Sequence, residues 1–161
     1  MKDAPPYARK QHDIAGNVIS FNVRLVLDTD AVIAAMRSPT GASAAIVRAA
    51  RQGRVQLLLT VPLAMEYEAV CRRPEHGLEA GLSNLEVEIF VDAVIAMAEP
   101  VPTHFLWRPQ LRDPNDEMVL EAAVNGRADA LVTFNLRDYG NAAEFGVGIL
   151  LPREAIGRIK P

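Results

Sequence analysis

Three short, mostly apolar runs restrict this chain most: Val23–Leu27, Val55–Leu59 and Ala128–Thr133, the first ending directly at Asp28 and the second followed by Thr60. A run of this length, rich in valine and leucine, reads as a strand buried on both faces, and that requires a sheet covered by helices. A fourth run, Gly146–Leu151, follows near the end of the chain.

The stretches between them carry helix punctuation. Ala31–Met36 is a short helix stopped by Ser38, Pro39 and Gly41. Ser43 is placed to cap a helix over Ala44–Gln52, which Gly53 ends. Thr60 caps a helix with Pro62 in its first turn, running to about Arg72 and broken by Pro74 and Gly77. Ser83 and Glu86 form a capping box that opens a helix reaching Ala98. Asp113 caps a helix that has Pro114 at its first position and Gly126 at its end, and Pro152 opens a last short one. Val101–Leu111, with Pro102 and Pro109, reads as an irregular crossing or an edge strand. Met1–Asn22 reads as a tail, so one domain is expected over residues 23–161. Strands alternating with helices predict an α/β sandwich around a mostly parallel sheet of four to five strands. In such sheets ligands bind beyond the carboxyl ends of the strands, where strand order reverses.

Charge and cysteine content exclude several classes. Seventeen basic residues face twenty acidic ones, so the chain is no polycation that holds nucleic acid by charge alone. The single cysteine, Cys71, excludes an intramolecular disulfide and a multi-cysteine zinc site, and beside Arg72 on a helix it reads as buried and inert. No apolar run approaches the roughly 18–20 residues of a membrane span, and the N-terminus has no signal-like apolar segment, so a cytoplasmic protein is expected. His12, His76 and His104 are scattered without ligand spacing.

The informative polar residues sit at strand ends and helix starts. Asp28 follows the first strand, where it or Asp30 can cap the next helix. Glu66 lies on the apolar stripe Leu63, Tyr67, Val70 and so points toward the core, whereas Glu68 is expected to face solvent and pair with Arg72. Asp113 and Asp116 open a helix; Asp116 heads the stripe Val119, Leu120, Ala123, with Glu117 and Glu121 on the solvated flank. Thr133, Asn135 and Asp138 emerge after the third strand. Acids gathered at one sheet edge repel one another, and an all-oxygen set suits Mg2+ or Mn2+.

The motifs Asp28-Thr29-Asp30, Glu66-Tyr67, Arg112-Asp113-Pro114-Asn115-Asp116 and Thr133-Phe134-Asn135-Leu136-Arg137-Asp138 resemble those of the PIN-domain family, most closely the toxin-like (VapC-type) ribonucleases of bacterial toxin–antitoxin modules. The resemblance runs from about Arg24 to Pro161. It implies a PIN-like three-layer sandwich and a Mg2+- or Mn2+-dependent endoribonuclease. The acidic set falls on Asp28, Glu66 and Asp116, with Asp113 as neighbour and Asn135, Asp138 or a water held by one of them as the fourth ligand. Many members have asparagine where this chain has Asp30, and Thr-Gly-Asp where it has Thr133-Phe134-Asn135. Arg37, Arg112, Arg137 and Thr133 are the candidate RNA contacts.

Two other readings compete. Asp28 and Asp30 also resemble the nucleophile and acid of a haloacid-dehalogenase-type phosphatase, but that chemistry wants a lysine, and Lys2, Lys10 and Lys160 all lie near the termini. A degenerate PIN-like module that binds RNA or a protein without cutting is the other. A free RNase is hazardous in a cell, so the toxin resemblance implies a cognate antitoxin. The helix over Ser83–Ala98 carries two apolar stripes, Leu85/Ile89/Ala93/Ala96 and Val87/Val91/Val94/Ala98, which predicts a homodimer or an antitoxin contact through one of them.

Overall fold

The structure is a computed structural model that describes residues 10–12, 18–20, 23–104 and 111–161. Lys10–His12 (β1) and Val18–Ser20 (β2) pair antiparallel in a small sheet of their own. The expected tail therefore contains a strand pair that its unpatterned sequence does not announce; the rest of residues 1–22 lies outside the described residues.

The main sheet is built from Val23–Leu27 (β3), Val55–Leu59 (β4), Glu99–Pro100 (β5), Ala130–Val132 (β6) and Gly148–Leu150 (β7). Its order is β5-β4-β3-β6-β7, and every neighbouring pair is parallel. The helices are Thr29–Arg37 (α1), Ala42–Arg51 (α2), Val61–Cys71 (α3), Pro74–Ala80 (α4), Asn84–Met97 (α5), Pro114–Asn125 (α6) and Pro152–Ile156 (α7). The expected α/β sandwich forms, with five strands, all parallel. Leu25, Val26, Leu58, Leu131 and Val132 are buried, as strands covered on both faces require.

Strand order sets the place for a site. From β3 the chain builds outward through β4 to β5, then returns across the sheet to add β6 and β7 on the other side of β3. The reversal falls between β3 and β6, so a crevice opens beyond their carboxyl ends. Asp28 and Thr133 are the next residues there. The Asp28 amide donates to the carbonyl of Val132 at 2.8 Å, which locks the two strand ends together.

Several local expectations need correction. Pro74 follows the end of α3 as expected but also opens an unexpected helix: Arg73 is extended, and Pro74 takes the first position of α4. Gly77 is buried inside that helix and does not break it. The cap of α2 is Gly41, not Ser43, which is buried in the first turn with an unpartnered hydroxyl. Glu117 and Glu121 are buried rather than solvated; Glu117 Oε1 accepts from the Leu111 amide at 2.6 Å, because the segment ahead of α6 folds back over that flank. The edge strand lies just ahead of the expected stretch, at Glu99–Pro100, with Pro100 at the sheet edge where a missing donor is tolerated; residues 101–104 are irregular, and residues 105–110 lie outside the described residues. Arg72 pairs with Glu88 at 3.9 Å rather than with Glu68, which is half-buried.

Candidate active site

Asp28 is the hub. It is the N-cap of α1, its Oδ1 accepting from the Thr29 amide at 2.7 Å. Its Oδ2 accepts from the Thr133 hydroxyl, also at 2.7 Å. Only 6% of Asp28 is exposed. Burial raises its pKa, and the charge of Asp138 adds to that; hydrogen bonds from Thr133, Tyr139 and Thr29 act the other way.

Asp30 sits on the first turn of α1 and reaches across to the segment after β6. Its Oδ2 accepts from the Phe134 amide at 3.1 Å and the Asn135 side-chain amide at 3.2 Å. Its Oδ1 is buried without a partner. Burial, then the charge of Asp28, pushes Asp30 up to about 6.

Asp116 comes from the first turn of α6, half-buried above the buried Val119 and Leu120. Burial, then the charge of Asp28, pushes it up to about 6 as well, with Asp113 and Asp138 contributing. Asp113 itself caps α6, its Oδ1 accepting from the Asn115 amide at 2.9 Å. No ion pair with arginine or lysine relieves Asp28, Asp30 or Asp116 among the described residues.

Two tyrosines complete the frame; the sequence pattern places Tyr67 on the inward stripe of its helix but leaves Tyr139 unmarked. Tyr139 is fully buried, and its hydroxyl donates to Asp116 Oδ1 at 3.2 Å while lying close enough to Asp28 to lower that carboxyl's pKa. Burial and the two neighbouring carboxylates push the Tyr139 phenol far up, so it stays a neutral donor. Tyr67 of α3, also buried, donates its hydroxyl to the carbonyl of Leu27, one residue before Asp28. Tyr139 directly follows the motif that ends at Asp138, and Tyr67 directly follows Glu66.

The structure thus gathers Asp28, Asp30, Asp116, Thr133 and Asn135, with Asp138 and Asp113 near enough to act through their charge. Glu66 is half-buried on α3 and makes no hydrogen bond or ion pair among the described residues. Its neighbour Tyr67, on the same expected stripe, is buried. Thr133 is fully buried with its hydroxyl engaged, so it holds Asp28 and Asn135 and is no RNA contact. Arg112 and Arg137 line a cleft of about 850 Å3 with Asp113, Asp116 and Asp138. Arg37 lies elsewhere, paired with Glu79 at 2.5 Å. Cys71 is buried, which pushes its thiol up to about 11 and leaves it inert.

Among the described residues no three Asp, Glu, His or Cys side chains form a ready-made metal cage. The donor chemistry nonetheless fits a hard cation. The cluster is all oxygen, its carboxylates repel one another without a compensating cation, and Asp30 Oδ1 is orphaned.

A family model described as PIN domain matches residues 24–137, well over half of the chain. The matched segment holds Asp28, Asp30, Asp116, Thr133 and Asn135 and stops short of Asp138 and Tyr139. PIN domains are generally nucleases and typically depend on a divalent metal. No curated protein matches the chain.

Proposed function

The chain belongs to the PIN-domain family, and from that premise we propose that it is a Mg2+- or Mn2+-dependent endoribonuclease acting on single-stranded RNA, the toxin of a toxin–antitoxin pair. The observation that carries the reading is the uncompensated acidic cluster at the strand-order reversal, with Asp30 and Asp116 both raised to about 6.

Asp28, Asp30 and Asp116 are the residues that would hold the metal. Asp138, whose charge already acts on Asp28 and Asp116, is the better fourth acid, because Asn135 turns its amide donor to Asp30. Glu66 is the further carboxylate that the family resemblance assigns. When bound, a divalent cation supplies activation of a water nucleophile and stabilisation of charge on the phosphate. The protein's own groups do the rest. Thr133 and Tyr139 fix the carboxylates from the buried side, which removes the cost of reorganising them during reaction. Arg112 and Arg137 supply cationic groups in the adjoining cleft to hold flanking phosphates.

The phosphatase reading loses ground on charge: that chemistry wants a lysine beside the aspartyl phosphate, and Lys2, Lys10 and Lys160 all lie near the termini. Incubation of single-stranded RNA with the purified chain tests the proposal. Cleavage is expected with Mn2+ or Mg2+ and none after chelation. A phosphorylated aspartate formed from a phosphomonoester would support the rival, and RNA binding without cutting at any metal concentration would support the degenerate module.

A partner is proposed on the same footing. On α5, Val87, Val91 and Val94 are buried, whereas Leu85 and Ile89 are exposed, as are Val61 and Met65 on α3, which packs against α5. This second stripe is the surface for a second copy or an antitoxin helix. Among the described residues no helix is long and apolar enough to cross a membrane.

A further inference from the structure

Phe134 has no part in the chemistry above, yet it occupies a place where an aromatic ring is costly to expose. It directly follows the fully buried Thr133, and half of its own surface is open to solvent. It is not a loose loop residue. Its amide donates to Asp30 Oδ2 at 3.1 Å, and the next residue, Asn135, is tied to both Asp30 and Thr133. The backbone that carries the ring is therefore fixed beside the acidic cluster.

On that side the cluster opens into a second cleft of about 570 Å3, whose walls include Asp30, Ile33, Arg37, His76 and Phe134. Its volume lies within the range of small-molecule sites. The polar groups in it are fixed or unspent: the Arg37 guanidinium is braced by Glu79, and His76 Nδ1 is buried without a partner. The larger cleft with Arg112 and Arg137 opens on the Asp116 side. The carboxylates thus stand between two clefts, with Asp30 lining one and Asp116 lining the other.

We infer that the Phe134 cleft is a nucleobase subsite, in which an unpaired base next to the bond being cut stacks on the Phe134 ring, with Arg37 available to its polar edge. The inference rests on the ribonuclease reading of the acidic cluster. Exposed aromatics beside a phosphate-handling site are the usual platform for single-stranded nucleic acid, because every base has a flat apolar face. A paired base keeps its faces stacked on its neighbours, so this subsite selects single-stranded RNA.

The test uses single-stranded RNA carrying 2-aminopurine at successive positions, titrated with the full chain in chelator so that nothing is cut. With the unaltered protein and with Phe134→Tyr, fluorescence quenching is expected at one position of the RNA. Phe134→Leu and Phe134→Ala, which keep and remove apolar bulk respectively but both lack a ring, should lose the quenching and bind roughly tenfold more weakly. Far-UV circular dichroism confirms that both still fold. Unchanged quenching and affinity in both ring-less variants would overturn the subsite. If RNA is still bound and cut with metal in that case, the ribonuclease reading stands alone. If the unaltered protein neither binds nor cuts RNA, both fall. A change in sedimentation on losing the ring, with RNA binding unaltered, would assign Phe134 to protein contact and also overturn the subsite.

Discussion

The Tyr139 hydroxyl donates to Asp116 Oδ1 across 3.2 Å, from a ring with no exposed surface, and joins two residues 23 positions apart. That bond, together with the same hydroxyl's proximity to Asp28, ties the start of α6 and the end of β3 to the turn after β6.

Replacing Tyr139 with phenylalanine keeps the ring and deletes this tie. Because the bond lowers the pKa of Asp116, its loss should move that carboxyl further above about 6. Metal affinity should weaken by roughly tenfold, the scale seen when a group orienting a ligand is removed. Carboxyl titration by NMR and metal calorimetry read the two effects; an Asp116 titration that stays put would show that the hydroxyl is idle.

Thr133→Val removes a buried donor to a buried carboxylate at almost constant volume. The Asp28 oxygen then loses its partner, and the Asn135 amide loses its acceptor. Destabilisation of about 2 kcal/mol is expected from urea unfolding without metal. Stability equal to the parent would mean that water replaces the hydroxyl.

Acid strengthens the metal-free protein through this site. Asp30 and Asp116 are raised from 3.8 to about 6 in the folded chain. The folded state therefore holds their protons more tightly than the unfolded state does. The stability these groups contribute is fully present below 3.8 and is lost as pH rises through about 6. In chelator the melting temperature should be higher at pH 5 than at pH 7.5, and Asp30→Asn should shrink the difference. A divalent cation at pH 7.5 should restore the lost stability. Melting curves independent of pH across this window would remove the electrostatic basis for the site.

What the sequence made legible was local. Thr60, Ser83 and Asp113 cap the helices assigned to them, since a cap is read within three or four residues. The apolar runs end close to where their strands end, which placed Asp28 and Thr133 at the same edge before any contact was known. The reading failed where the deciding partner lies far along the chain. Tyr67 bonds to Leu27 across 40 residues, so its place on the inward stripe of α3 does not show which strand end its hydroxyl supports. Glu117 looks solvated by helical periodicity, because the Leu111 amide that buries it belongs to a crossing segment without a pattern of its own. Pro74 fails for a different reason: the same residue stops one helix and starts another, and only the conformation of Arg73 distinguishes the cases.

Calorimetric titration of Mn2+ into the unaltered chain and into Asp28→Asn and Asp116→Asn tests the central claim, that these carboxylates share one cation. Binding to the unaltered chain should be saturable, and each variant should bind at least about tenfold more weakly while melting no lower than the metal-free parent. Equal affinity in all three proteins would contradict it, because the cation would then be held somewhere other than the edge between β3 and β6.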